Sequence, residues 1–198
     1  MHPAYFALVM ATGIVSIASY LTGWRFIALV LFVLNIAFYT GLWALTAARV
    51  VHHRERMVAD LLDHGRSVGF FTAVAGTCVL GSQFLLIAES WLAAAALWIV
   101  GTTLWALVTY SVLTILTVKR SKPELAHGIN GGWLLPVVAA QSVAVLGTQL
   151  APGFGAYEGH VLFFCLCMWL GGGMLYIWII SLIFYRYTFF PLDRKSVV

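Results

Sequence analysis

Residues 91–118 read WLAAAALWIVGTTLWALVTYSVLTILTV, an apolar run without one Asp, Glu, Lys or Arg. As a helix rising ~1.5 Å per residue, this run is more than long enough to cross the ~30 Å hydrocarbon layer of a bilayer. Outward from it the pattern recurs: residues 4–21, 26–48, 68–88, 133–150 and 161–185 are also apolar, joined by short connections. The chain of 198 residues is 62% hydrophobic and 9% charged, against roughly 45–50% and about 25% for a soluble domain. One small core cannot hide that surface, so the excess faces lipid. The expected fold is all-α: a polytopic membrane protein of six transmembrane helices, paired as three helical hairpins in a single transmembrane domain over residues 1–198, in the cell (plasma) membrane.

Charge sets the expected orientation. Arg49, Arg54, Arg56, Arg66, Lys119, Arg120, Lys122, Arg186, Arg194 and Lys195 all fall on one side of a six-span drawing, and Arg25 alone on the other. The positive-inside rule makes the basic side cytoplasmic, with both termini on it. A net charge of +4 then describes loops beside anionic headgroups, and no nucleic-acid partner is expected. The start Met1-His2-Pro3 lacks a basic n-region, so the first run reads as a retained span. Cys78, Cys165 and Cys167 lie inside apolar runs as small hydrophobes. No metal or cofactor is expected, because no His, Asp or Glu accompanies the 165/167 pair. Residues 49–67 read as a solvated connector with a short surface helix over 57–62, and Trp24, Trp91 and Trp133 as interfacial anchors.

Odd and even spans differ in character. The odd ones carry Thr12, Gly13 and Ser16; Gly76, Thr77, Gly81, Ser82 and Gln83; Pro136, Gln141, Ser142, Gly147, Thr148 and Gln149. The even ones carry Trp43, Trp98, Trp105, Trp169 and Trp178. Polar and Gly/Pro-rich spans suit protein or a water-filled path, and bulky apolar ones suit lipid. The expectation is an inner ring of odd helices inside an outer ring of even ones. LGSQF at 80–84 is echoed by LGTQL at 146–150, and LWAL at 42–45 by LWAL at 104–107. A repeating two-helix unit keeps its orientation, and parallel copies surround an axis along the membrane normal.

No Asp, Glu, Lys, Arg or His occupies the middle third of any span, which argues against a carboxylate-driven pump. Facing haem ligands and an embedded nucleophile with its base are also missing, so no enzyme is expected. Neutral donors remain. The expected lining of a path comprises Thr12, Gly13, Ser16, Gly76, Thr77, Gly81, Gln83, Pro136, Gln141, Gly147 and Gln149, since hydroxyls and amides solvate a passing anion without holding it too tightly. Each glutamine equally suits an interhelical hydrogen bond; clustering on odd spans favours lining.

HPAYFALVMATGIVS at 2–16, AGTCVLGSQ at 75–83 and NGGWLLPVVAAQ at 130–141 resemble the tellurite-resistance/dicarboxylate transporter family, which includes slow anion channels, malic acid transporters and sulfite efflux pumps. The resemblance implies passage of small anions, C4-dicarboxylates such as malate or oxyanions such as tellurite or sulfite, through a pore inside a homo-oligomer, usually a trimer. It also implies ten spans in five hairpins, with a gating phenylalanine on the ninth, whereas three hairpins are present here. YRYTFFPL at 185–192 resembles the family's link to a seventh span, so a chain truncated at its C-terminal end is expected. The alternative is a non-transporting membrane protein that acts only with partners.

Overall fold

The computed structural model describes residues 2–191, apart from the side chains of 126 and 127. Among them eight α-helices follow in order: α1 (Ala7–Leu21), α2 (Arg25–His52), α3 (Arg54–Leu62), α4 (Phe71–Leu86), α5 (Trp91–Val118), α6 (Leu125–Gly128), α7 (Leu135–Leu150) and α8 (Glu158–Phe189). No strand occurs among the described residues. The six long apolar helices α1, α2, α4, α5, α7 and α8 are those the sequence predicts. α2 and α8 extend past the expected apolar limits into polar residues, which remain helical outside the hydrocarbon layer. Arg194, Lys195 and the end of the 185–192 link lie outside the described residues.

α4 and α7 have 16 residues each, roughly 24 Å of helix and short for the layer they cross. A four-residue 3₁₀ turn lengthens each odd helix at its start: Pro3–Phe6, Ser67–Phe70 and Gly131–Leu134, adding about 8 Å. Polar side chains tie down these entries. His2 Nδ1 accepts from the Ala4 N–H at 3.2 Å, Asn130 Oδ1 from Gly132 at 2.9 Å, and Asp63 Oδ1 from Gly65 and Arg66 at 2.9 and 2.8 Å. Pro136 stands in the first turn of α7, where a missing N–H costs no helical bond.

The three hairpins form a repeat. Their first helices begin at Ala7, Phe71 and Leu135, a constant step of 64 residues. Each far turn carries one residue with positive φ: Gly23 at 89°, Glu89 at 50° and Gly155 at 53°, a step of 66. The echo of 80–84 in 146–150 keeps the register of the turns. That of 42–45 in 104–107, 62 residues apart, is four residues out of it, about one helical turn.

Each helix packs against its hairpin partner, and the hairpins join through a row in which α4 contacts both α1 and α7. α4 is buried along nearly its whole length, α7 over much of its surface, and α1 only at Val9, Gly13 and Ser16. The expected inner ring is therefore a row with α4 in the middle. α1, whose main neighbours are α2 and α4, is as exposed as the even helices, whereas α7, also at an end of the row, packs against α5 as well as α4 and α8. Lipid tails are as apolar as Leu, so helix association in a bilayer depends on close fit and interhelical hydrogen bonds more than on hydrophobic transfer.

One sequence expectation changes here. Trp91, Trp98 and Trp133 turn into the protein instead of toward interface or lipid: their indoles donate to Leu150 O at 3.2 Å, Val143 O at 3.0 Å and Gly128 O at 2.9 Å, because an indole N–H at membrane depth requires an acceptor. Trp24 stays exposed. The 49–67 connector is largely exposed and carries the short helix α3, as expected, and it is fastened at a few points. Asp60, 2% exposed, pairs with Arg49 of α2 and with Arg66 at 2.7 Å, and Lys119 Nζ donates to Leu62 O at 2.8 Å. Two guanidinium partners offset the desolvation of the buried carboxylate.

Candidate functional site: the faces of α1, α4 and α7

An α-helix turns about 100° per residue, so contacts sort α4 into sectors. Gly76 abuts Val9 and the Phe6 carbonyl on the α1 side. Toward α2, Thr77 Oγ1 and Tyr39 Oη share a hydrogen bond of 3.1 Å, Phe84 meets Phe32 edge-on at 5.0 Å, and Gln83 accepts from Asn35. Gly101 of α5 closes on Cys78, and Gly81 meets Leu146 of α7. The remaining sector, turned away from the even helices, carries Ala75 and Ser82, both buried, and the half-buried Leu86. Val79, which presses on Gly13, borders it. Ser82 is the polar residue of this sector. The sequence reading counted Ser82 among polar odd-span residues but not in the lining set; its spacing of seven from Ala75 was the available signal.

The same sorting applies to α7. Leu146 faces α4, and Val143 O receives the Trp98 indole of α5. Gly147 leaves room for that indole and for Cys165 of α8: a Cβ there would lie 2.8 Å from Trp98 Nε1 and 2.4 Å from Cys165 Sγ. Gln141 Nε2 donates to Trp169 O of α8 at 3.1 Å, beside Gly172. The sector that remains carries Val138, Val145 and Gln149, all exposed. Thr148 at its edge bonds the Ala144 and Val145 carbonyls of its own helix.

On α1, Ser16 Oγ donates to Ala28 O of α2 at 2.8 Å in a buried seam, and Gly13 lies against Val79, Asn35 and Gln83. Thr12 is half-buried. Of the residues expected to line a path, Gly13, Ser16, Gly76, Thr77, Gly81, Gln83 and Gly147 are thus buried between helices, and Pro136 is buried in the first turn of α7. Gln141 is engaged with α8, while Gln149 stands on an open sector. Gly13 and Gln83 come together around Asn35; the α1 and α7 members lie on different sides of α4.

Sequence reasoning passed over Asn35 and Tyr39. The signal for Asn35 was that it is the one amide side chain of its span, since such a group needs a partner at membrane depth. No Asp, Glu, Lys, Arg or His stands on α1, α4 or α7, so the three faces offer hydroxyls, amides and backbone dipoles without fixed charge. Among the described residues no group of three or more metal-ligating side chains gathers.

Residues 1–198 match the model of a protein family described as the voltage-dependent anion channel. An uncharacterized transporter of Methanocaldococcus jannaschii is 24% identical over 192 residues, which cover 93% of this chain and 54% of its own. A second uncharacterized transporter of that organism is 24% identical over 190 residues, covering 93% and 55%. The chain spans about half the length of the curated relatives it matches. No solved structure matches it.

Proposed function

The chain belongs to the voltage-dependent anion channel family, and on that premise we propose that the whole protein carries small anions across the membrane along the joint face of α1, α4 and α7. One observation supports this reading above others: these three helices form a continuous row without an Asp, Glu, Lys, Arg or His side chain, while the bulkier even helices are packed behind them. A fixed ammonium or guanidinium in the path would hold an anion, whereas neutral donors let it leave as readily as it enters.

In this proposal Ser82, between Ala75 and Leu86, and Gln149 offer donors to the anion, with Thr12 and Gln141 at the margins of the path. Gly13, Ser16, Gly76, Thr77, Gly81, Gln83, Pro136 and Gly147 set the spacing and rotation of the helices that present those donors. The proposed substrates are C4-dicarboxylates such as malate or oxyanions such as tellurite or sulfite, whose oxygens match hydroxyl and amide donors. The proposed assembly is a homotrimer, by family likeness.

The test is anion flux into liposomes that hold the full-length protein. Flux above that of empty vesicles, reduced by Ser82→Val at unchanged thermal stability, is the expected result. No flux for malate, succinate, sulfite or tellurite would reject the proposal.

A further inference from the structure

A cleft at the basic end of the bundle carries an inference independent of the transport path. It encloses about 340 Å³ between α5, α7 and α8, and its walls are apolar: Leu113 on α5, Pro136 on α7, Ile179 and Leu182 on α8. Its rim is not apolar. His64, from the connection between α3 and α4, lines the cleft and lies tilted against Trp133, with ring centroids 6.3 Å apart. The His64 Nδ1 atom is buried and has no hydrogen-bond partner. Burial, and then the nearby charges of Lys119 and Lys122, hold the His64 pKa below its ordinary value, against an opposing influence of Asp63. Lys119 donates to Leu62 O at 2.8 Å, which leaves two of its three N–H groups for another acceptor. Lys122 is exposed.

The cleft is apolar, Lys119 is tied to Leu62 two residues from the lining residue His64, Lys122 adjoins the lining residue Pro123, and the His64 imidazole nitrogen is orphaned; this combination is complementary to an amphiphilic anion. We propose that the cleft holds an acyl chain of an anionic phospholipid whose phosphate is received by His64, Lys119 and Lys122. The slot shields methylenes, and the rim supplies N–H donors to the phosphate oxygens, as basic pockets between transmembrane helices do. A zwitterionic choline headgroup brings its own cation to the same rim and loses that advantage. A free phosphate would engage the rim but leave the slot empty.

The experiment is native mass spectrometry of the full-length protein in mild detergent, with equal amounts of dioleoyl phosphatidylglycerol and dioleoyl phosphatidylcholine. Preferential retention of phosphatidylglycerol is expected. Lys122→Gln should lower that retention about fivefold, the effect of one basic residue at a lipid surface. Leu113→Trp, which fills the slot and spares the rim, should abolish it while the melting temperature stays within the range of Lys122→Gln. Equal retention of the two lipids, or phosphatidylglycerol retention unaffected by both variants, would overturn the proposal. So would displacement of the lipid by glycerol phosphate alone, which identifies a free-phosphate site, or disulfide-linked dimers of Leu182→Cys, which identify a second copy in the cleft.

Discussion

Asn35 of α2 donates its Nδ2 to Gln83 Oε1 of α4 across 2.6 Å, with both side chains fully buried. Gly13 of α1 makes the approach feasible, because a Cβ at that position would lie 2.9 Å from Asn35 Nδ2 and 3.2 Å from Gln83 Oε1. Three helices from two hairpins therefore converge on one amide pair. With Gln83 held toward α2, Ser82 is turned about 100° away, into the sector proposed to face the anion.

Loss of one amide should strand the other. Asn35→Leu and Gln83→Leu should each cost about 1–3 kcal/mol, the penalty of an unpartnered buried polar group. The double variant should cost less than the sum, with a coupling on the order of 0.6–1.7 kcal/mol, as for other hydrogen bonds within membranes. A double-mutant cycle on unfolding in bicelles measures it, and strict additivity would show that the pair is not coupled.

Gly147→Ala should destabilise the bundle by roughly 1–3 kcal/mol, since the added methyl overpacks a tight seam and forces the Trp98 indole and the Cys165 thiol aside. Trp98→Phe, in the same chain, relieves the clash with the indole and should restore part of the loss. Thermal unfolding of the two single variants and the double variant reads this out; no recovery in the double would place the strain elsewhere.

Glu89 holds φ of 50° at the turn where the sister hairpins have Gly23 and Gly155. Because a side chain in the left-handed region is strained, Glu89→Gly should raise stability by about 0.5–1 kcal/mol and Glu89→Ala should not. Equal melting temperatures for the two variants would count against strain at this turn.

His64 sets a pH dependence. Its pKa lies below the ordinary value of 6.5, chiefly through burial, so the folded protein binds the proton less tightly than the unfolded chain does. Its stabilising effect is complete above about 6.5 and is lost as pH falls from there through the lowered folded-state value. The melting temperature should be lower near pH 5 than near pH 7.5, and His64→Gln should flatten that slope. A variant with the parent slope would assign the dependence to another group.

Gln141 and Gln149 should separate in transport. Gln141→Leu removes a bond to the Trp169 carbonyl of α8 and should reduce expression more than conductance. Gln149→Leu, on an exposed sector of α7, should change conductance or anion preference with expression unchanged. Single-channel or liposome flux recordings beside membrane yields compare them, and the reverse pattern would exchange the two roles.

Much of this molecule is legible in its sequence. Span number, hairpin pairing and the basic end follow from where charge is absent and where it gathers, because each side chain meets lipid or water largely by itself. The step of 66 residues is also readable, since Gly81 and Gly147 recur in register with the turns. What the sequence leaves open is rotation. Gln83, Gln141 and Gln149 are the same residue type on odd spans, yet one is clasped by Asn35, one is bonded to α8 and one is exposed. Trp91 and Trp98 read as lipid-facing bulk or interfacial anchors until the Leu150 and Val143 carbonyls stand in front of them.

The sequence by itself determined that the chain crosses the membrane six times and that its odd helices carry the uncharged polar residues; those are properties of single residues against lipid and water. The tertiary structure alone decided which of those residues are spent between helices and which remain available. That choice is made by close contacts between segments tens of residues apart, and with no hydrophobic gain to separate helix–helix from helix–lipid contact, composition along one helix does not reveal it.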